Sequence, residues 1–339
     1  MVAVMTSTPP GDALIADLVL EAGGVKGIAI SGAVSTLARR GYTFRRIAGT
    51  SAGAITGAVL AALQHAGEPL ERGEDIARSL KYERFRDRGA IGRLLGPLGW
   101  LVDGFSLAFD SGIYEGAYLH DWLRGVLADL GVTTFADLRE HDPGSALPPE
   151  RAYRLVVFAS DLSQQRLLRL PWDYPDYGLD PDEMLVADAV RASASIPFFF
   201  EPVTMRGERG VSTLVDGAVL SSYPISVFDR DDGLPARWPT IGVRVTARAG
   251  DPAAVQPVEG PISLALTLVE TALTACQSRH IEDPANVARS VFVDTSGIAT
   301  TDFGITPTQR DELISAGEAA TERFLRDWDF EQWQQEWDR

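Results

Sequence analysis

LIADLVLEAGGVKGIAISGAVSTLARRGYTFRRIAGTSAGAITGAVLAALQHAG, residues 14–67, decides the fold. It falls into two copies of one pattern. "LIADLVL" is a short apolar run closed by the glycines of "EAGG", the mark of a buried strand. "VKGIAISGAVSTLARRG" follows as an Ala- and Gly-rich helix stopped at Gly41. "FRRIAGT" reads as a second strand, and "SAGAITGAVLAALQHAG" as a second helix ended by Gly67. Two strand–turn–helix units in succession predict parallel strands joined by crossover helices, because parallel neighbours need a long connection. The small residues in both helices let them lie close against a sheet.

The rest of the chain fits the same class. "YRLVVFASDL" resumes the strand pattern, "QRLLRL" is expected beside it, and "STLVDGAVL", "TIGVRVTAR" and "RSVFVDT" read as further strands. "EMLVADAVRASASIPFFFEPV" reads as a helix broken at Pro197, followed by an extended aromatic segment. The expected fold is therefore α/β, a parallel-rich central sheet sandwiched by helices with a helical cap. Residues 1–13 read as a loose leader, 14–310 as one domain with a cap-like insertion at 68–150, and 311–339 as a C-terminal helical segment. On a continuous helix Phe324 and Trp328 share one face while Trp333 and Trp337 take the opposite one. Packing onto the domain and contact with a partner or lipid both fit that arrangement.

Composition narrows the function. The 339 residues are 45% apolar and 23% charged, which supplies a substantial core. Acidic residues outnumber basic ones 47 to 31, and the net charge of -16 disfavours nucleic acid, whose phosphates need clustered Lys and Arg. It equally disfavours attraction to anionic lipid, so any membrane contact is expected to be transient, local and apolar. Cys276 is the single cysteine, which excludes an intrachain disulfide and a cysteine metal site. The N-terminus carries no signal-peptide pattern, and no window of about 18 apolar residues occurs. The expected location is cytoplasmic, with peripheral contact at a membrane.

Three short stretches carry chemistry. In "IAGTSAG", residues 47–53, Ser51 stands between Gly49 and Gly53 where a strand turns into a helix. Such an elbow holds a nucleophilic serine at a helix N-terminus, whose free N–H groups favour negative charge. The same spacing also suits a small residue at a tight corner. In "EAGGVKG", residues 21–27, successive glycines let backbone N–H groups line a concave surface fit for an oxyanion. A phosphate loop is the competitor, but neither G-x-x-x-x-G-K-[ST] nor G-x-G-x-x-G is matched. In "STLVDGAVLSSYP", Asp216 precedes Gly217 at a turn, either as a carboxylate aimed at the serine or as an ordinary Asp-Gly turn.

The base is the open point. A serine hydroxyl needs a neighbouring group to take its proton. His65 lies about 20 Å from Ser51 by helix rise, and His120 and His141 lie in the cap region. His280 permits a Ser51–Asp216–His280 chain order, although its polar helical surroundings read as surface. A direct Ser51–Asp216 pair needs no histidine.

Together "LVLEAGGVKG", "IAGTSAG" and "LVDGA", in this order, resemble the patatin-like phospholipases. The likeness extends through "LVVFASDL", "VRASASIPFFFEPV" and "SSYPISVFD", over roughly residues 15–230. It implies a Ser-Asp dyad without histidine, with Ser51 as nucleophile and Asp216 as base. It further implies an oxyanion hole from the amides of Gly23, Gly24 and Ala52, with Lys26 at a position where the family usually carries a basic residue for substrate binding. No metal or other cofactor is implied. Two departures stand out: Ala22 replaces the first glycine of the family's loop, and "SSYP" stands where an Asn is common before the proline. The expected substrate is a lipid acyl ester. A thioester or small ester, or a non-catalytic binding role, is the alternative. Phe105, Phe109, Trp122 and Phe198–Phe200 suit either an acyl pocket or the core.

Overall fold

The computed structural model describes residues 14–81, 84, 116–245, 271, 283–298, 300, 302 and 304–338. Eight strands form one mixed sheet: β1 Leu14–Leu20, β2 Tyr42–Thr50, β3 Leu155–Asp161, β4 Arg166–Leu170, β5 Val203–Gly207, β6 Gly210–Asp216, β7 Thr240–Arg244 and β8 Ser290–Phe292. The order is β5-β6-β3-β2-β1-β7-β8, with β4 also paired to β3. The strands β3, β2, β1, β7 and β8 run parallel, while β4, β5 and β6 join antiparallel. The sheet is thus parallel at its centre, as the two opening units require.

Residues 16–20 of β1 are all buried, which explains the nearly unbroken apolar run of "LIADLVL". Asp17 is the exception within it. It accepts two guanidinium hydrogen bonds from Arg46 on the neighbouring strand, yet burial still holds its carboxyl above the usual pKa range.

Register explains how the site is assembled. Along one edge of β3, β4 pairs continuously from Val157 to Asp161. The other edge is shared: β2 occupies it up to Thr50 opposite Phe158, and β6 takes over with Asp216 opposite Ala159. The strands run in opposite directions, so their C-terminal ends meet head to head at adjacent residues of β3. Ser51 and Asp216 lie at that meeting point.

Helix α1 (Ile28–Arg39) follows β1 and α2 (Ala52–Ala66) follows β2. A five-residue turn then leads into α3 (Arg72–Ser79), which doubles back across α1 and α2. Helix α4 (Ala117–Asp129) packs on α2, and α5 (Val186–Ser193) on β3 and β6. A short turn of helix, α6 (Pro284–Ala288), precedes β8. Helix α7 (Pro307–Asp327) lies along α1. Their approach is close because a Cβ at Gly32 would sit 2.2 Å from Ile314 O and one at Gly317 2.1 Å from Ala29 O.

Three local readings are corrected. The helix before Pro197 ends at Ser193, and Pro197–Phe199 form a turn with Phe198 at φ 66° rather than an extended aromatic segment; the extended part is β5, paired with β6 through a two-residue turn at Glu208-Arg209. The C-terminus is not one helix: Trp328 and Asp329 are extended, and the Asp329 carboxylate caps a new helix, α8 (Phe330–Trp337), by accepting from Gln332 N. The Phe324 and Trp328 rings do stack, at 5.1 Å. Asp216-Gly217 is no hairpin turn but the start of a short helical turn, Gly217–Val219.

Candidate active site

The Ser51 backbone carries strain. Its φ of 54° and ψ of -119° lie in a region that non-glycine residues avoid, at a cost of order 1–3 kcal/mol. The surroundings hold it there. Ser51 N–H donates to Ser193 Oγ at 2.9 Å, and Ser193 Oγ donates to Phe158 O at 2.6 Å. The flanking glycines provide room rather than torsional freedom. A Cβ at Gly49 would lie 2.3 Å from Gly53 O, and one at Gly53 would lie 2.3 Å from Leu20 O. Neither has positive φ. G-x-S-x-G here lets the start of α2 sit directly against the end of β1.

Ser51 Oγ donates to Asp216 Oδ2 at 2.6 Å, and both residues are buried. The second carboxylate oxygen, Oδ1, accepts from Ala218 N at 2.8 Å. Asp216 N–H donates to Ser195 O, and Ser160 Oγ donates to Gly217 O. Gly217 is required for space, since a Cβ would meet Phe158 O at 2.2 Å. Burial pushes the Asp216 pKa up to about 7, against the lowering effect of the Ser51 and Ala218 hydrogen bonds. A carboxylate so placed is a stronger base than an exposed one and titrates near neutrality.

The glycine loop lies beside this pair. Gly24 takes φ +52°, the left-handed region, whereas Ala22 is free of positive φ, so the alanine causes no strain. Ala22 N–H donates to Ser222 O, which ties the loop to the chain just after Asp216. Val25 N–H donates to Thr300 O, and a Cβ at Gly24 would collide with that oxygen at 2.2 Å. The amides of Gly23, Gly24 and Ala52 have no acceptor among the described residues. Under the loop, fully buried Glu21 accepts from Arg244 Nε at 3.3 Å and from Val245 N at 2.7 Å. Val245 in turn presses on Gly23, where a Cβ would lie 2.5 Å from its Cγ2.

Ser51 opens onto a narrow, mainly apolar slot. Gly24, Gly27 and Ala52 border it at the serine end, with Ile196 and Phe200 from the segment after α5. Trp122 of α4 lines it as well. Gly23 and Lys26 do not. Lys26 is partly exposed on the helical turn Gly24–Gly27.

Of the histidines, His65 is exposed at the far end of α2, His120 is 2.7 Å from Asp188, and His141 is exposed on a loop. His280, Phe105, Phe109 and Cys276 lie outside the described residues. No group of three or more His, Cys, Asp or Glu able to hold a metal occurs among the described residues, and none of their helices is long and apolar enough to cross a membrane. Sequence reading missed Ser193 and Ser195. Their signal was two hydroxyls in the small, mostly apolar stretch "ASASIP", where each, once buried, needs a partner.

This arrangement joins a strained serine at a strand–helix elbow to a buried aspartate beside a glycine-rich loop. The chain belongs to the patatin-like phospholipase family, whose model matches residues 18–229. A similar full-length relative is the Bacillus subtilis (strain 168) protein YqhO, described as uncharacterized, 34% identical over 314 residues covering 93% of this chain and 99% of that one. Among solved structures, VipD of Legionella pneumophila matches 94% of this chain and 67% of its own, with 18% identity and a TM-score of 0.47. ExoU, in its complex with SpcU from the type III secretion system of Pseudomonas aeruginosa, gives 17% identity and a TM-score of 0.48 over 93% of this chain; the match spans 52% of that chain, about half its length.

Proposed function

We propose that the protein is a serine acyl hydrolase that cleaves lipid acyl esters, of phospholipase A or lysophospholipase type, through Ser51 and Asp216. The family supports lipid acyl hydrolysis. The observation that carries the residue assignment is the 2.6 Å hydrogen bond from the Ser51 hydroxyl to a buried carboxylate at the mouth of an apolar slot.

Ser51 Oγ attacks the ester carbonyl as Asp216 Oδ2 accepts its proton. The carbonyl oxygen becomes an oxyanion held by the amides of Gly23, Gly24 and Ala52, at the positive end of α2. Collapse breaks the carbon–oxygen bond to the alcohol, which leaves with the proton from Asp216. The acyl group remains on Ser51. Asp216 then takes a proton from water, whose oxygen attacks the acyl carbonyl; the second collapse returns that proton to Ser51 Oγ and releases the fatty acid. Ser193 keeps the nucleophile in its strained geometry throughout.

The test is a mixed lipid extract incubated with wild type and with Ser51→Ala, followed by mass spectrometry of the products. Wild type alone should release fatty acids and lysolipids. Release of neither, with p-nitrophenyl esters also untouched, contradicts the proposal.

A further inference from the structure

The slot has a direction, and its walls change along it. Ser51, Ile55 and Val59 repeat at four-residue intervals on α2, with Leu60 beside the last of them, so one helical face borders the slot from the serine inward. Ile28, Ser31 and Val34, at three-residue intervals on α1, border it from the other side. Helix α3 roofs this groove and runs back toward the serine, because only five residues separate it from α2. Its first turn therefore lies over the distal end: a Cβ at Gly73 would be 3.4 Å from Leu60 Cδ2 and 3.6 Å from Leu63 Cδ1. Ala77 borders the slot one turn nearer the serine.

Both roof residues are small where their neighbours Leu70 and Leu80 are large, and a Cβ at Gly73 would already touch the floor, so a larger side chain there must fill the distal end of the slot. Two polar residues of the wall already hold partners. Ser31 Oγ donates to Ile28 O at 2.7 Å, and Glu74 accepts from Arg78 at 3.0 Å. An unbranched hydrocarbon would therefore meet mainly apolar surface.

We propose that the acyl chain of the substrate lies in this groove and that Gly73 and Ala77 of α3 set its length, a claim that rests on the acyl-hydrolase reading above. Nine helical steps separate Ser51 from Leu60, a rise of about 13.5 Å. An extended chain advances roughly 1.2 Å per bond, since three backbone bonds span 3.3–3.6 Å. About eleven carbons thus reach from the serine to Gly73, and about seven reach to Ala77, one helical turn nearer. The preferred substrates carry medium-length acyl chains, and longer ones gain nothing from the added methylenes within the groove.

The test measures kcat/KM for p-nitrophenyl esters from butyrate to palmitate with wild type, Gly73→Leu and Ala77→Leu, each confirmed as folded by thermal melting. Wild type should rise with chain length and level off near dodecanoate. The dodecanoate-to-butyrate ratio should fall more than tenfold in Gly73→Leu, and the plateau should begin at shorter chains still in Ala77→Leu. Labelling rates with butyl and dodecyl fluorophosphonates, read by intact mass, should show the same ordering in whichever variant folds. An unaltered ratio in the variants would overturn the groove assignment while leaving the hydrolase reading intact. Absence of any Ser51-dependent cleavage by wild type would remove the reading beneath it.

Discussion

At the scale of single residues, the site depends on a carboxylate that burial keeps half-protonated near neutrality. In the proposed mechanism Asp216 accepts the Ser51 proton and must be ionised, and burial pushes its pKa up to about 7. The kcat/KM profile should therefore rise tenfold per pH unit below about 7 and flatten above it. The same shift fixes a stability effect. The folded pKa lies above the unfolded value of 3.8, so the associated stability is fully present below about pH 4 and is lost as pH rises through 7. Asp216→Asn removes this loss; it should melt higher than wild type at pH 8, by an amount worth a few kcal/mol at most, and close to it at pH 4. Equal melting shifts at both pH values would contradict the burial argument. Ser51 allows a second comparison. Ser51→Gly and Ser51→Ala both lose the hydroxyl, but only glycine relieves the positive φ, so Ser51→Gly should be the more stable by on the order of 1 kcal/mol in urea unfolding.

At the scale of elements, the two opening strand–turn–helix units were legible because everything that specifies them is local: apolar runs, terminal glycines and small-residue helices. Ser51 was legible for the same reason. What joins it to Asp216 was not, since the shared edge of β3 is a pairing between residues more than fifty positions apart. The family resemblance supplied that link; periodicity did not. Nor was the reason for Gly217 legible: it looks like a torsional hinge in the sequence and proves, like Gly49 and Gly53, to be a point of backbone contact. Strand β5 and the break at Asp329 have local signals, the alternation in "VTMRGERGVSTLV" and a D-x-x-Q cap, but each sits beside an aromatic run whose spacing fits a continuous element equally well. The Glu21–Arg244 pair under the glycine loop gives the prediction at this scale. Glu21→Gln keeps the acceptor for Val245 N but loses the charge opposite Arg244. It should lower kcat by about tenfold or more with little change in KM, as expected when oxyanion donors are displaced. A rise in KM at constant kcat would instead assign the pair to substrate binding.

At the scale of the whole molecule, helix α7 braces α1. Helix α7 meets α1 at Gly32 and Gly317 with no room for side chains, and Thr321 Oγ1 donates to Gly317 O within the contact. Gly317→Val should cost about 1–3 kcal/mol through overpacking, measured by urea unfolding. Trp337→Ala, at a side chain left 38% exposed, should stay within about 0.5 kcal/mol of wild type. A large effect at Trp337 would show that α8 does more than rest on the surface through Trp333, whose indole N–H donates to Ala285 O.

The most direct measurement of the central claim is the rate at which a fluorophosphonate modifies the protein, followed by intact mass and peptide mapping. Wild type should gain one adduct on Ser51, His280→Ala should react at the same rate, and Asp216→Asn should react at least about a hundredfold more slowly. Reaction of Asp216→Asn at the wild-type rate, or loss of reaction in His280→Ala, would contradict an aspartate acting alone on the serine.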